Sequence, residues 1–282
     1  MSENLNINCG VVKIGGAIGN DPSNLLEELA KRVKKGEKWI LVHGASGHME
    51  AICKLCGIEP VYVISPSGFR SRFVGEKELA LFEAACSGYS VELSGKLGKL
   101  GIGTMLLYPK QDTTAKAIRK DSLRSVENGK TRILRGNYSG SMCGFEPLPV
   151  THAWDNGLLP MLPPLASDSE GNSLNVDGDR MAAAAAAALN ADALIILSNV
   201  PGILRDVNDP LSRVEKGYLN MWGELESLAQ GNMKRKLLAA KEALEGNVGK
   251  VILADSRNDN PIYRALTGGG TTLCRTSMAD AG

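Results

Sequence analysis

Aromatic residues are scarce in this chain: Phe, Trp and Tyr together make up 5% of 282 residues. So few rings argue against a β-sandwich or a lectin-like surface. Histidine is scarcer still, with His43, His48 and His152 alone. Neither sign of charge prevails, since 32 basic and 31 acidic residues leave a net charge of +1. A dedicated nucleic-acid binder carries a basic excess, so no nucleic-acid partner is expected. No apolar run approaches the ~18–20 residues of a membrane span, and no membrane partner is expected either. The opening MSENLNINCG lacks the basic and apolar regions of a secretion signal. The reading is a globular protein of the cytoplasm. The common nucleotide fingerprints are also missing: neither GxxxxGK[ST] nor GxGxxG occurs at its strand-to-helix turns.

Six cysteines (9, 53, 56, 86, 143, 274) are present but scattered. Cys53 and Cys56 form a lone CxxC in a helix-like stretch, with no second pair and no histidine cluster to complete a zinc site. All six are expected to be reduced packing residues. The length suits one large or two medium domains, enough to bury a core without disulfides or a structural metal.

Strand-like and helix-like segments alternate nearly end to end. VVKI (11–14) is an apolar run closed by Gly15-Gly16. Asp21-Pro22 starts a helix, with Asp as N-cap and Pro at the first helical position; Leu25, Leu26, Leu29 and Val33 form its stripe, and Gly36 ends it. WILV (39–42) and VYVI (61–64) read as further buried strands, 76–99 as a long helix, and GIGTMLL (101–107) as a strand. The later part repeats the grammar: an alanine-rich helix (179–189), ALIIL (193–197), a helix at 233–245, VILA (251–254) and TTL (271–273). Continuous apolar strands between helices imply a largely parallel sheet covered on both faces. The turn-rich 163–173 marks the expected crossing between two lobes, residues 1–165 and 166–282.

One segment departs from this grammar. Residues 116–135 hold Asn128-Gly129 between two alternating runs, a type I′ hairpin signal. Lys116, Arg119, Lys120, Arg124, Lys130, Arg132 and Arg135 outnumber Asp121 and Glu127 there. Such a ribbon is exposed, either as a solvated insertion or as a docking surface for an acidic partner.

Two glycine turns follow strands: Val12-Lys13-Ile14-Gly15-Gly16 and Val42-His43-Gly44-Ala45-Ser46-Gly47. A missing side chain lets backbone N–H groups approach an anion, and the next helix N-terminus adds partial positive charge. Lys13 sits at the C-terminal end of its strand, where α/β folds bind ligands. Asn175-Val176-Asp177-Gly178-Asp179 places polar groups ahead of the alanine-rich helix, where the two aspartates could also serve as caps. Met233-Lys234-Arg235-Lys236 opens another helix. Lysines there oppose the helix dipole, which favours a buried or ligand-facing role.

VKIGG, HGAS, NVDGD, LSNVPGI and GNMKRK, in this order and spacing, resemble the amino acid kinase family over roughly residues 10–273. The nearest branch phosphorylates an amino acid carried on a small amino-group carrier protein in lysine or arginine biosynthesis. Gly68-Phe69-Arg70-Ser71-Arg72 resembles that branch's G-x-x-S-R. The usual N-acetylglutamate kinase features, a proline after HGGG and G-x-R-V-T, are absent.

The resemblance implies an α/β three-layer sandwich with an open, mainly parallel central sheet. It implies an N-terminal lobe for the acceptor and a C-terminal lobe for ATP. By motif, Lys13 contacts the phosphoryl group in flight, Gly15 and Gly16 offer it N–H groups, and Gly44 and Ala45 lie on the acceptor side. Arg72 and Asn175 hold the substrate's amino-acid portion. Asp179 orients Lys13 and Lys236, and Lys236 draws on the leaving phosphate oxygen. Ser198, Asn199, Gly202 and Met233 line the nucleotide site. Mg²⁺ is expected on the phosphates, with no protein ligand. A small acidic carrier protein and a homodimer are the implied partners. Departures concentrate on the acceptor side: Ala45 in place of glycine, Phe73-Val74, and Tyr108 to Thr114 in place of a G-L-D-G-x-L segment.

Phosphorylation of a carrier-bound 2-aminoadipate or glutamate is therefore the leading expectation. N-acetylglutamate kinase is the alternative, and a catalytically inactive sensor a third reading. Lys13, Asp179 and Lys236 together speak against the last.

Overall fold

A computed structural model describes residues 7–17, 19, 21–64, 70–109, 114–127 and 130–276. Gly68-Phe69, the segment 110–113 and the Asn128-Gly129 turn lie outside the described residues. The first part of the chain holds β1 (Cys9–Ile14), α1 (Ser23–Lys34), β2 (Lys38–His43), α2 (Ser46–Leu55), β3 (Tyr62–Ile64), β4 (Arg70–Arg72), α3 (Glu76–Lys99) and β5 (Thr104–Leu106). Next come β6 (Ala115–Arg119), β7 (Ser122–Glu127), β8 (Lys130–Arg135), β9 (Gly140–Phe145), α4 (Leu148–Asp155), β10 (Leu159–Leu162), β11 (Leu165–Ser167) and β12 (Ser173–Asn175). The last part adds α5 (Gly178–Ala188), β13 (Ala193–Ser198), β14 (Lys216–Tyr218), α6 (Trp222–Leu228), α7 (Asn232–Glu245), β15 (Lys250–Asp255), α8 (Pro261–Leu266) and β16 (Gly270–Cys274).

The main sheet has eight strands in the order β14-β16-β15-β13-β1-β2-β10-β5. Its neighbours pair in parallel, except β15 with β16. Successive side chains of a strand point to opposite faces, and here each face has its own helices. Val12, Ile14, Leu41, Ile195 and Leu197 pack with α1, α3 and α8. Val11, Ile40, Val42, Leu194 and Ile196 pack with α4, α5 and α7. This is the expected three-layer arrangement. The alanines of α5 let it lie close to the sheet and to α7: a Cβ at Gly246, just past α7, would come within 2.5 Å of the Ala187 Cβ. Glu28 ties α1 to α8, accepting from Ile262 N at 2.7 Å and Tyr263 N at 2.8 Å.

Several local expectations shift. Helix α1 begins at Ser23, one residue later than expected, with Pro22 as N-cap residue. Asp21 still serves the helix start, accepting from Ser23 N at 3.0 Å and Ser23 Oγ at 2.6 Å. VYVI is no buried parallel strand. Its residues 62–64 pair antiparallel with β4 in a separate ribbon, and Tyr62 and Ile64 are exposed. A short apolar run carries no period long enough to reveal which sheet it joins.

The basic hairpin is shorter than 116–135. β7 and β8 form it over Ser122–Arg135, with Glu127 opposite Lys130. Residues 115–119 instead pair with β9, inside a four-stranded sheet ordered β12-β11-β6-β9. Within 163–173 the chain turns back on itself as β11 and β12, and Asp168 closes that turn by accepting from Glu170 N and Asn172 N. All six cysteines are free; Cys53 and Cys86 are buried, but Cys56 and Cys143 are exposed. Cys56 lies past the end of α2 and so off its buried stripe, and Cys143 lies on the outer strand β9.

Candidate active site

The alternation along β1 decides where Lys13 points. It shares the face of Val11, toward α5 and α7. Helix α5 leads into β13 and α7 into β15, and both strands run parallel with β1. Both helices therefore start at the edge of the sheet where β1 ends. Asp179 lies in the first turn of α5, and Lys236 is the fifth residue of α7.

The three side chains meet there. Lys13 Nζ forms an ion pair with Asp179 Oδ1 at 2.7 Å, and Lys236 Nζ donates to Asp179 Oδ2 at 3.1 Å. Lys13, Asp179 and Lys236 are only 8%, 7% and 8% exposed. Two ammoniums against one carboxylate leave a net positive charge nearly withdrawn from water. Burial acts to raise the Asp179 pKa, but the charges of Lys13 and Lys236 outweigh it and hold the carboxyl well below its usual range. Lys236 is pushed the other way. Burial and then Lys13 lower its pKa, and Asp179 opposes them. Such a cluster is stabilised by an added anion, and two helix N-termini facing it reinforce that preference.

The two aspartates divide their work. Asp177 caps α5, its Oδ1 accepting from Asp179 N at 2.9 Å and Arg180 N at 3.2 Å. Asp179 is left for the lysines. Gly178 between them packs on the Lys13 stem, where a Cβ would lie 3.4 Å from Lys13 Cε.

The turns after β1 and β2 touch through their backbones. A Cβ on Gly16 would fall 2.1 Å from the Gly44 carbonyl carbon, and one on Gly44 would fall 2.5 Å from Gly16 N. Gly47 N donates to Gly16 O at 2.6 Å. Gly16 and Gly44 are thus required for this contact, whatever else they do, and Gly15 lies in the same turn, directly after β1. Ala45 is buried and packs with Met49 and Leu165. Ile14 is paired with Leu197, so Ser198 and Asn199 lie beside the first turn. Ser198 Oγ is buried without a hydrogen-bond partner, and Asn199 Oδ1 accepts from Ser256 Oγ at 3.4 Å. Gly202 is explained by its surroundings: φ is +142° and a Cβ would lie 2.5 Å from Thr271 Oγ1. Met233 is half-buried against the core shared by α5 and α7.

Arg72 closes β4, with its guanidinium carbon 5.5 Å from the Tyr62 ring centre. One of its terminal nitrogens is buried without a hydrogen-bond partner. Asn175 ends β12, two residues before Asp177, and its N–H donates to Tyr138 O at 2.9 Å.

Other polar groups surround these elements. His43 is fully buried, with Nε2 2.7 Å from Ser90 Oγ and Nδ1 3.2 Å from Gly44 O. Burial lowers its pKa to about 4, so the ring is neutral at pH 7. Tyr108 continues the network by donating to Ser90 Oγ at 2.8 Å. Arg180 makes a two-bond pair with Glu242, at 2.8 and 2.6 Å, joining α5 to α7. Arg235 Nη2 donates to Ser71 Oγ at 3.2 Å. Lys120 has a lowered pKa, chiefly from partial burial and then from Arg180. In the sequence His43 stands in the second glycine turn, Tyr108 in the altered 108–114 segment, Lys120 in the basic segment and Arg235 in the MKRK run, whereas Ser90, Arg180 and Glu242 carry no signal.

The family model described as "Amino acid kinase family" matches residues 8–255. The chain belongs to the amino acid kinase family. A [LysW]-aminoadipate kinase of Deinococcus radiodurans is 41% identical over 268 residues, covering 95% of this chain and 92% of that one. A [LysW]-aminoadipate kinase of Thermus thermophilus is 37% identical, covering 93% and 99%. Among solved structures, carbamate kinase from Giardia lamblia bound to AMP-PNP superposes with a TM-score of 0.65 at 16% identity, over 95% of this chain and 99% of that one. This amino acid kinase is accordingly a phosphotransferase that uses ATP. Among the described residues, no helix is long and apolar enough to cross a membrane.

Proposed function

We propose that this kinase transfers the γ-phosphoryl group of ATP to the side-chain carboxylate of 2-aminoadipate or glutamate held on a small acidic carrier protein, giving an acyl phosphate for lysine or arginine biosynthesis. The observation that carries the reading is the buried pair of ammoniums on one carboxylate. The acceptor is already an anion at pH 7, so attack needs no general base. It needs positive charge between two repelling anions and in-line alignment. Lys13 lies between the two sides of the site and contacts the phosphoryl group in flight. Lys236 offsets charge on the leaving oxygen. Asp179 holds both ammoniums in place and stays ionised throughout. Backbone N–H groups at Gly15 and Gly16 face the transferred group, and Gly44, whose own N–H donates to Ile14 O at 3.0 Å, lies on the acceptor side. The unpartnered Arg72 nitrogen, with Asn175, receives the acceptor's amino-acid portion.

Ser198 and Asn199 flank the nucleotide. Magnesium would be held by phosphate oxygens; among the described residues, no group of three His, Cys, Asp or Glu side chains could hold a metal ion.

Strand order supports a division into an acceptor lobe, 1–165, and a nucleotide lobe, 166–282. β1, β2, β10 and β5 lie on one side of the main sheet and β13, β15, β16 and β14 on the other. The carrier docks on β7 and β8, where Arg124, Lys130, Arg132 and Arg135 are exposed. Arg119 takes no part: it stacks 3.8 Å from the Tyr138 ring centre and donates to Asn137 O. Names of relatives that include a carrier support this partner. The homodimer and the cytoplasmic setting are inferred from family resemblance.

Trapping the acyl phosphate with hydroxylamine tests the reading. Carrier-linked 2-aminoadipate, carrier-linked glutamate and free N-acetylglutamate are each supplied with ATP. Product from a carrier-linked acceptor is expected. Product from N-acetylglutamate alone would make the chain an N-acetylglutamate kinase, and ATP binding with no product would make it a sensor.

A further inference from the structure

Ser71 and Arg235 are 164 positions apart, yet one hydrogen bond joins them. Their neighbours make the bond notable. Ser71 precedes Arg72, whose buried terminal nitrogen has no hydrogen-bond partner. Arg235 precedes Lys236, which is committed to Asp179. The bond therefore connects the residue before the acceptor-side cation to the residue before the phosphate-side cation. Other described hydrogen bonds of this ribbon stay near it or reach the middle of the chain: Phe73 N donates to Val61 O at 2.8 Å, Val74 N to Asn137 Oδ1 at 3.1 Å and Tyr138 N to Val74 O at 2.7 Å. The Arg235 contact alone, among these four, reaches α7.

We propose that Arg235 is a positioning residue which, through Ser71, couples the acceptor-side ribbon to the start of α7, so that acceptor and nucleotide each strengthen the other's binding. This rests on the site assignments of the proposed function. An acceptor carboxylate on Arg72 fixes the end of β4 and with it the Ser71 hydroxyl. A fixed Ser71 restrains the Arg235 side chain and the first turns of α7, where Lys236 must be held for the nucleotide. Coupling of binding free energies is reciprocal, so nucleotide bound near Lys236 also orders the ribbon. A side-chain hydroxyl and a long guanidinium suit this role, since the bond forms only when both elements are in place.

The test titrates AMP-PNP into the full chain with and without saturating carrier-linked 2-aminoadipate. It compares the parent, Ser71→Ala, Arg235→Ala, the double variant and Arg235→Lys. In the parent the acceptor should tighten AMP-PNP binding by about fivefold to tenfold, within the usual span for coupled sites. That factor should fall toward one in either alanine variant and no further in the double variant, and Arg235→Lys should recover part of it. Weaker binding of both ligands with the coupling factor intact would show a merely structural bond and overturn the proposal.

A second readout is independent of the acceptor. AMP-PNP alone should slow amide hydrogen exchange at residues 71–74 in the parent and not in Arg235→Ala. Equal exchange in the parent with and without AMP-PNP overturns the coupling even if turnover is normal. Failure of every acceptor in the hydroxylamine assay counts against the proposed function, and the exchange result then decides the coupling by itself.

Discussion

Asp179→Asn removes one charge from between two buried ammoniums and keeps the side-chain volume. At separations of 2.7 and 3.1 Å and an effective dielectric constant of about 20, each attraction is worth about 5–6 kcal/mol before desolvation. Desolvation consumes much of that, and removing one partner of a buried pair typically costs ~3–5 kcal/mol. In a chain of this size that lowers the melting temperature by roughly 5–8 °C.

The deficit should depend on pH. Lys236 already titrates low because burial and Lys13 oppose its charge, and Asp179 is what resists them. Without Asp179 its folded-state pKa falls further, while the unfolded chain keeps the ordinary lysine value. Between those values the unfolded chain binds more protons, so the variant gains stability as pH rises. Its gap from the parent should narrow from pH 7 toward about pH 10.

Turnover should fall by about 10²–10³-fold, the scale of losing one preorganised charge contact to the transition state. The alkaline limb of the pH–rate profile should move to lower pH, and no acidic limb should vanish, since Asp179 gives up no proton. Melting curves at two pH values and a pH–rate profile read all of this. A variant that melts within ~1 °C of the parent at neutral pH and turns over normally would refute the reasoning. Loss of an acidic limb would instead make Asp179 a titrating base.

Lys13→Met and Lys236→Met should each lower kcat by roughly 10²–10³-fold in the trapping assay, with the circular dichroism spectrum unchanged. Gly16→Ala should cost about 1–3 kcal/mol in urea unfolding and remove most activity, since the new methyl meets the Gly44 carbonyl carbon. Glu28→Gln should lower stability by roughly 1.5–3 kcal/mol with kcat nearly unchanged, because it weakens a charged cap on one buried and one partly buried N–H group at the start of α8. His43, buried neutral with its pKa lowered to about 4, contributes stability that is full above its unfolded value of about 6.5 and is lost as pH falls toward the folded value. His43→Asn should therefore show less loss of stability between pH 6.5 and 4.5 than the parent, measured by thermal melts. Arg124, Lys130 and Arg135 changed together to Glu should raise KM for the carrier-linked acceptor at low salt and leave ATP binding unchanged. The effect should shrink at high salt, where charge is screened within ~10 Å or less, and equal KM values at every ionic strength would remove the docking role.

The parts of the fold that were legible are those where a long pattern meets one environment. VVKI, WILV, ALIIL and VILA are buried on both faces, and such runs announce central parallel strands. Lys13 was legible because a lysine inside such a run has no core role. Lys236 was legible because cations at a helix start work against the dipole. Short elements were not. VYVI has the composition of a central strand and became an outer ribbon, because four residues cannot encode which neighbour they pair with. Charge draws residues 116–119 into the basic hairpin when only the sequence is read, whereas hydrogen bonding to β9 decides their place. Asp177 and Asp179 looked interchangeable as caps. In the sequence only the family resemblance separates them; in the fold Asp177 accepts from α5's own N–H groups and Asp179 pairs with two lysines. Ser71 with Arg235 could not be read at all, since nothing local links residues so far apart.

The backbone contact between Gly16 and Gly44 has a consequence for how this catalyst can change over time. Each glycine meets the main chain of the other's loop, so no single substitution at either position finds room by moving a side chain. Drift at one requires a simultaneous rearrangement at the other, and the pair is closed to stepwise variation. Position 45 is under no such embargo: its methyl already packs beside Met49 and Leu165. Side chains around this junction can therefore change one at a time, whereas the two glycines can change only together.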